Sequence, residues 1–355
     1  MTARTIGLPA ETKDRERRVA LTPSAVGSAV RAGHRVLVQA GAGEGAGYQD
    51  VDYKQVGAEL VTSAEDAWSA ELVVKVKEPQ PAEYAYFRDD LTLFAYLHLA
   101  AEPELTEALQ ESGVAAYAFE TLEERGGLPL LAPMSEIAGR AAAIVGAAHL
   151  AAVGGGSGTL MGGAAGAPAA QVAVLGMGVA GTMAARGAAG LDAVVTGVDV
   201  NLQRLYDARM EGTIATSLVS EPDGVAELVS RADLVVGAAL VPGRRAPTVV
   251  TEEAIRGMRP GSVVVDLAID QGGCIETARP TTLSEPTYVT HGVVHYCVTN
   301  VPGQFPRTAS AALSAAVAPK LLLLAADPDD PRLTGAANVL AGELVHPGVV
   351  AAFEA

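Results

Sequence analysis

Aromatic side chains are scarce, at 5 Phe, 9 Tyr and 1 Trp in 355 residues. Large rings therefore cannot fill the core. Ala, Gly and Val dominate instead, and such a core is built by close approach of backbones, which suits sheets covered by small-faced helices. Cysteine is rarer still. Cys274 and Cys297 stand in no C-x-x-C or Cys/His spacing, so no zinc site is expected, only two reduced, buried thiols. Positive charge is short, with 25 Lys and Arg against 41 Asp and Glu and a net charge of −16. That excludes a nucleic-acid or anionic-membrane face, which needs a basic surface. Long apolar runs are missing too. The Ala-rich segment 137–153 comes closest to a membrane span, and Arg140 and His149 interrupt it. The first residues, MTARTIGLPAETKDRERRVALTP, are charged and have no apolar signal region. The expectation is a soluble, cytoplasmic protein with no metal, no nucleic acid and no membrane partner.

What is present is length for two domains and enough apolar surface, 49% of residues, to bury a core in each. The first 125 residues alternate strand-like and helix-like patches. Strands are expected at 6–8, 34–43, 71–79, 91–100 and 113–121, with helices at 23–32, 64–69 and 102–112. Strands separated by helices of about ten residues argue for a parallel sheet. A long helix is read over 136–152. The Gly-rich segment 153–168 fits either a linker or an ordered loop beside a cofactor. Continuous apolar runs at 171–176, 193–199, 232–239, 262–269 and 288–299 read as strands buried on both faces. A helix over 308–326 and a last helix near 334–343 complete the expectation.

The sharpest local signal is VAVLGMGVAGTMAARGAAG, residues 172–190. Gly176, Gly178 and Gly181 sit at G-x-G-x-x-G spacing between a β-branched run and a small-residue helix. Gly176 allows the tight turn, Gly178 lets backbone approach a pyrophosphate, and Gly181 lets helix and strand touch. The helix N-terminus at Val179 and Ala180 faces the phosphates. Asp199 closes the next strand, 18 residues past Gly181, close to the roughly 20 expected for a ribose-binding acid. It favours NAD over NADP, and Arg204, five residues on, keeps NADP open.

Four residues elsewhere carry chemistry by type and place. His98 ends an apolar strand in FAYLHLA, and Asp270 ends GSVVVDLAID before Gln271-Gly272-Gly273. The edges of open α/β sheets are where ligands bind. Arg18 and Lys77 are cations able to clamp a carboxylate. Each also has an ordinary reading as a core or surface residue.

Together the segments GLPAETKDRERRVALTP, LVVKVKEP, FAYLHLA, LLAPMSEIAGR, LVPGRRAP, VVDLAIDQGGC and HYCVTNVPGQFPRTAS run in one order from residue 6 to about 310. They resemble the alanine dehydrogenase family, which shares its fold with the nucleotide-binding subunit of transhydrogenase. The resemblance implies an α/β protein of two Rossmann-like, doubly wound parallel-sheet domains with a cleft between them. Residues 1–130 plus 306–355 would form a substrate domain, and 131–305 the NAD domain. It implies NAD-dependent oxidative deamination of L-alanine to pyruvate and ammonia, and a homohexamer. By motif, Arg18 and Lys77 would grip the substrate, and His98 and Asp270 would share acid–base duty. Ser135, Ala239, Leu240, Asp270, Asn300 and Val301 would join the loop in touching the cofactor. The chain departs from the family pattern at Ala95 and at Val301, which bears on side-chain preference. A related enzyme acting on another amino or imino acid, or an NAD-binding protein without turnover, would share the same loop.

Overall fold

The computed structural model describes residues 3–240 and 245–354. They form two compact units, residues 3–134 with 305–354 and residues 135–240 with 245–304.

The first unit begins with β1 (Thr5–Leu8), α1 (Pro23–Arg31), β2 (Arg35–Gln39), α2 (Asp50–Gln55) and β3 (Glu59–Val61). It continues with α3 (Ala64–Trp68), β4 (Leu72–Val74), β5 (Thr92–Ala95), α4 (Pro103–Ser112) and β6 (Ala115–Ala118). Proline starts α1 and α4, where its missing N–H costs nothing, and Gly113 in the left-handed region ends α4. These six strands are parallel and lie in the order β3-β2-β1-β4-β5-β6. That is the doubly wound order, and it reverses between β1 and β4, where open sheets bind ligands beyond their strand ends.

Helix α5 (Ala132–Leu150) leads into the second unit. There β7 (Gln171–Leu175), α6 (Val179–Ala189), β8 (Val194–Asp199), α7 (Leu202–Met210), β9 (Thr216–Val219) and α8 (Pro222–Arg231) come first. Next are β10 (Leu234–Gly237), α9 (Glu252–Arg256), β11 (Val263–Asp266), β12 (Thr287–Thr290) and β13 (Val293–Tyr296). The sheet order β9-β8-β7-β10-β11-β13-β12 repeats the doubly wound plan, with only the β12–β13 pair antiparallel. Its reversal falls between β7 and β10. Scarcity of aromatics has a direct counterpart here. A Cβ on Gly139 of α5 would stand 2.1 Å from the Ala180 carbonyl of α6, and one on Gly146 would strike Leu234. Glycine is what lets these backbones touch.

The Gly-rich segment 153–168 is neither a free linker nor an unattached loop. Ser157 N–H donates to Gly261 O at 2.9 Å, Gly158 N–H to Leu150 O at 2.8 Å, and Ala164 pairs with Ala167. It is stitched into the second unit.

The chain returns to the first unit through α10 (Pro306–Ala326), followed by β14 (Ala337–Leu340), β15 (Glu343–Leu344) and α11 (Pro347–Phe353). Among the described residues, helix α10, not segment 137–153, is the stretch that by length and composition could cross a membrane. In this unit it is a core helix. Leu313, Val317, Leu321 and Leu324 are buried, and the Ser310 and Ser314 hydroxyls accept the N–H groups of Val19 and Thr22.

Two expected elements differ. The strand read over 288–299 is a hairpin, β12 and β13, joined at His291 (φ 54°) and Gly292 (φ 78°). The last helix expected near 334–343 is also a hairpin. Strands β14 and β15 turn at Ala341 (φ 49°) and Gly342 (φ 82°), and β14 pairs antiparallel with β6 to extend the first sheet. Both are two-residue turns with positive φ at both central positions, the geometry that matches strand twist.

Candidate active site

In the second unit the glycine loop lies at the reversal of the sheet. Gly176 has φ 94°, and a Cβ there would meet the Ala238 carbonyl at 2.7 Å, so only glycine lets β7 turn against the end of β10. A Cβ on Gly181 would stand 1.7 Å from Gly176 O. Gly178, by contrast, faces open space. It begins α6 with no side-chain cap, so the N–H groups at Val179 and Ala180 are met by no capping side chain. This is a cradle shaped for a phosphate at a helix N-terminus, and it fits a dinucleotide. Asp199, 6% exposed, ends β8. Its Oδ2 accepts the Met177 N–H at 2.6 Å and its Oδ1 the Asn201 N–H at 2.8 Å, which fixes the carboxylate beside the loop. Each oxygen keeps a second lone pair. Arg204 Nη1 is 3.7 Å from Asp199 Oδ2.

Ala239 and Leu240 follow β10, and Leu240 is 42% exposed. Residues 241–244 of the LVPGRRAP segment lie outside the described residues. Asp270 is exposed on a short 3-10 turn after β11, and its Oδ2 accepts the Asn300 N–H at 3.4 Å. Asn300 has φ 65°. Val301 is buried in the core with Val265 and Tyr296. Ser135 is half-buried in the first turns of α5.

The loop carrying Asp270 is organised by a residue the sequence reading passed over. Asp266 is 1% exposed. Its oxygens accept the N–H groups of Ala268 at 2.9 Å, Cys274 at 2.9 Å and Ile275 at 3.2 Å. Burial pushes its carboxyl up to about 6 against the pull of those bonds. The available signal was an acid closing VVVD with Gly-Gly beginning six residues on.

In the first unit the candidates gather at the sheet's reversal. Arg18, 2% exposed, lies on the loop after β1. Its Nε donates to Glu16 Oε1 at 2.7 Å and its Nη2 to Glu16 Oε2 at 2.5 Å, while Nη1 reaches Met134 Sδ at 3.2 Å. Burial opposes its charge, yet the two bonds it donates to Glu16, and that carboxylate's charge, hold it above the ordinary arginine value. Lys77, 5% exposed, is on the chain leaving β4, with its Nζ 3.9 Å from Glu78 Oε2. Glu78 also pairs with Lys13. Burial alone would raise the Glu78 carboxyl, but Lys77, His98 and Lys13 together hold it below the usual range.

His98 follows β5 in a left-handed conformation, φ 51° and ψ 36°. Glu120, at the end of β6, makes that turn possible. Its Oε1 accepts the His98 N–H at 2.7 Å, and its two oxygens accept the Leu97 N–H at 3.2 and 3.3 Å. The imidazole stacks on Tyr96 with planes 6° apart. Tyr96 is buried and donates its hydroxyl to Leu130 O at 2.6 Å. Arg18, Lys77 and His98 thus share one neighbourhood through Tyr96 and Glu78. Glu16, Glu78 and Glu120 were not singled out from sequence, because an isolated glutamate carries no pattern until the fold names its partner. Ala95, one of the two departures from the family pattern, is fully buried with Trp68 and Leu93, so that change is one of core packing. Among the described residues no group of three or more His, Cys, Asp or Glu could hold a metal.

The comparisons agree with this architecture. The model of the alanine dehydrogenase/PNT N-terminal domain matches residues 7–138, and that of the C-terminal domain matches residues 142–347. Alanine dehydrogenase of Bacillus subtilis is 51% identical over 322 residues, covering 90% of this chain and 85% of its own. A solved L-alanine dehydrogenase superposes with TM-score 0.92 at 48% identity, covering 99% of both chains. A solved transhydrogenase from Sinorhizobium meliloti gives TM-score 0.81 at 30% identity, over 97% of this chain and 99% of that one. On these matches, which together span nearly its whole length, the chain belongs to the alanine dehydrogenase/PNT family.

Proposed function

We propose that the chain is an NAD-dependent alanine dehydrogenase, converting L-alanine to pyruvate and ammonia and back. The observation that carries the reading is in the first unit. A buried, bidentately held Arg18, Lys77 and the imidazole of His98 lie on the chain leaving β1, β4 and β5, neighbouring strands at the reversal of one sheet. A 2-amino or 2-oxo acid needs two cations for its carboxylate and carbonyl oxygens and one group that moves a proton. The identity to proteins named alanine dehydrogenase supports alanine as the substrate. The first unit is then the substrate domain and the second the NAD domain.

NAD+, when bound, supplies the acceptor for the hydride that leaves the α-carbon. The work of the chain is positional. Arg18 and Lys77 fix the substrate carboxylate so that the α-hydrogen is presented in one direction. His98 takes the proton of the water that adds to the resulting iminium carbon and returns a proton as ammonia leaves. Asp270 belongs to the same acid–base set, and Asn300 beside it would help hold the nicotinamide. Ser135, Gly176, Gly178, Val179, Ala180, Ala239 and Leu240 would line the cofactor, with Asp199 on the ribose and Arg204 next to it, while the buried Gly181 and Val301 act through packing behind them.

The test is oxidation of NADH with pyruvate and ammonium, beside a panel of larger 2-oxo acids. Turnover with pyruvate is expected. Tight NADH binding without turnover of any oxo acid would sink the reading, and faster turnover of a bulkier acid would replace alanine while keeping the chemistry. Asp199→Ser should raise KM for NAD+ by about tenfold and narrow the preference over NADP+, since it removes charged acceptors of the ribose hydroxyls. An unchanged preference would assign ribose recognition to another group. The proposal includes a cytoplasmic homohexamer, checked by light scattering for six chain masses.

A further inference from the structure

We propose that Glu11 is a positioning residue of the substrate clamp, its carboxylate holding the segment that carries Lys77 and so setting where that ammonium meets a substrate. The inference rests on Lys77 and Arg18 being the substrate cations. Glu11 lies on the loop after β1 and reaches across the reversal of the first sheet to the chain leaving β4. Its Oε1 accepts the Val76 N–H at 2.6 Å and its Oε2 the Lys77 N–H at 3.3 Å. Lys75 Nζ stands 3.7 Å from Oε2, over the Trp68 ring, and donates to Glu83 at 2.6 and 2.8 Å. Glu83 also accepts from Thr12 Oγ1 and from Gln80 N–H. Residues 11–12, 75–77 and 80–83 are therefore tied into one unit by buried charge.

The charged groups facing Glu11 are Lys75 from the β4 extension, Glu83 from the 3-10 turn at Pro81–Tyr86, and Glu16 and Arg18 from its own loop. Lys75 is bonded to Glu83 and Arg18 to Glu16, so Glu11 is a third carboxylate beside two cations. Burial first, then Glu16 and Glu83, outweigh Lys75 and the Val76 bond and lift the carboxyl to about 7. A protonated Glu11 carries a proton on one oxygen, which then meets its backbone N–H as a weaker, uncharged acceptor, so the hold on Val76 and Lys77 loosens. The folded value lies above the ordinary 4.5, so protonation favours the fold. Stability from this group falls as pH rises from about 4.5 through 7. Ionised Glu11 thus costs stability and returns a fixed Lys77, a trade expected of a functional position.

The experiment is Glu11→Gln in the full chain, with Glu11→Asp beside it. For Glu11→Gln, KM for alanine should rise about tenfold or more, with kcat and KM for NAD+ each within about threefold. At pH 8 its Tm should exceed wild type by about 3 °C or more, and the gap should close at pH 5. Hydrogen exchange at the Lys77 amide should quicken. Glu11→Asp keeps the charge but loses reach, so it should share the KM rise without the gain in Tm. An unchanged KM for alanine would overturn the proposal, as would both KM values rising together. So would a lower Tm at pH 8 with unchanged exchange at Lys77. If wild type turns over no amino acid, the assigned reaction falls, while exchange at Lys77 and the pH-dependent Tm still decide whether Glu11 positions that segment.

Discussion

Replacing His98 by alanine is expected to cut pyruvate amination by at least about a thousandfold while NADH still binds, because general acid–base groups contribute factors of that order. NADH binding should survive because Gly176, Gly178 and Asp199 are held in place by groups of the second unit, whereas His98 belongs to the first. The fold should survive as well. The His98 side chain is 18% exposed, and the turn beneath it is held by Glu120 through backbone N–H groups that alanine keeps. Alanine does pay a small strain at φ 51°, so His98→Asn is the better control, since asparagine tolerates the left-handed region without supplying a base. Both variants should fail alike in NADH oxidation. A rate within about tenfold of wild type in either would move the proton to another group, with Asp270→Asn the next variant to measure.

Arg18→Lys is expected to lower kcat/KM for alanine by about a thousandfold and to destabilise the first unit by about 3 kcal/mol. Two effects add. Lysine offers a point charge where the guanidinium offers a fork, and here one edge of that fork is committed to Glu16 at 2.7 and 2.5 Å. Lysine cannot copy that planar geometry. Glu16, meanwhile, loses two charge-assisted bonds at a site where both side chains are at most 2% exposed. Arg18→Met with Glu16→Gln separates the effects, since it removes both charges from the buried site. Chemical denaturation should show most of the stability restored, with alanine oxidation still lost. Recovery of activity in the double variant, or a near-normal KM in Arg18→Lys, would mean Arg18 serves the fold alone.

The parts of this protein that were legible in its sequence depend on neighbours along the chain. Gly176, Gly178 and Gly181 act within one strand–turn–helix, and Asp199 closes the adjacent strand, so their spacing is itself the geometry. The continuous apolar runs that became β7, β8, β10 and β11 are equally local, because burial on both faces leaves no room for alternation. The two misread segments turned on backbone rather than pattern. His291-Gly292 and Ala341-Gly342 make the same positive-φ turn that Asn-Gly or Asp-Gly signals more plainly, and each hides inside an apolar stretch that looks continuous.

The site divides along the same line. Residue type and place at a strand end were enough to raise Arg18, Lys77, His98 and Asp270 as candidates. Nothing local marks Glu11, Glu16 or Glu120, and Asp266 offers only an acid at a strand end, because a glutamate or aspartate means little until its partner is known. Glu16 becomes a clamp only when the loop folds it onto Arg18, and Glu120 a support only when β6 lies beside β5. Asp266 becomes an organiser only when the chain returns eight residues later at Cys274. By itself the sequence determined the dinucleotide loop, the alternation of strand and helix and the chemical types available. Which carboxylate steadies which cation, and where α10 and the last hairpin complete the first sheet and its core, was decided by tertiary structure. Buried charges acquire a role only from the groups brought against them.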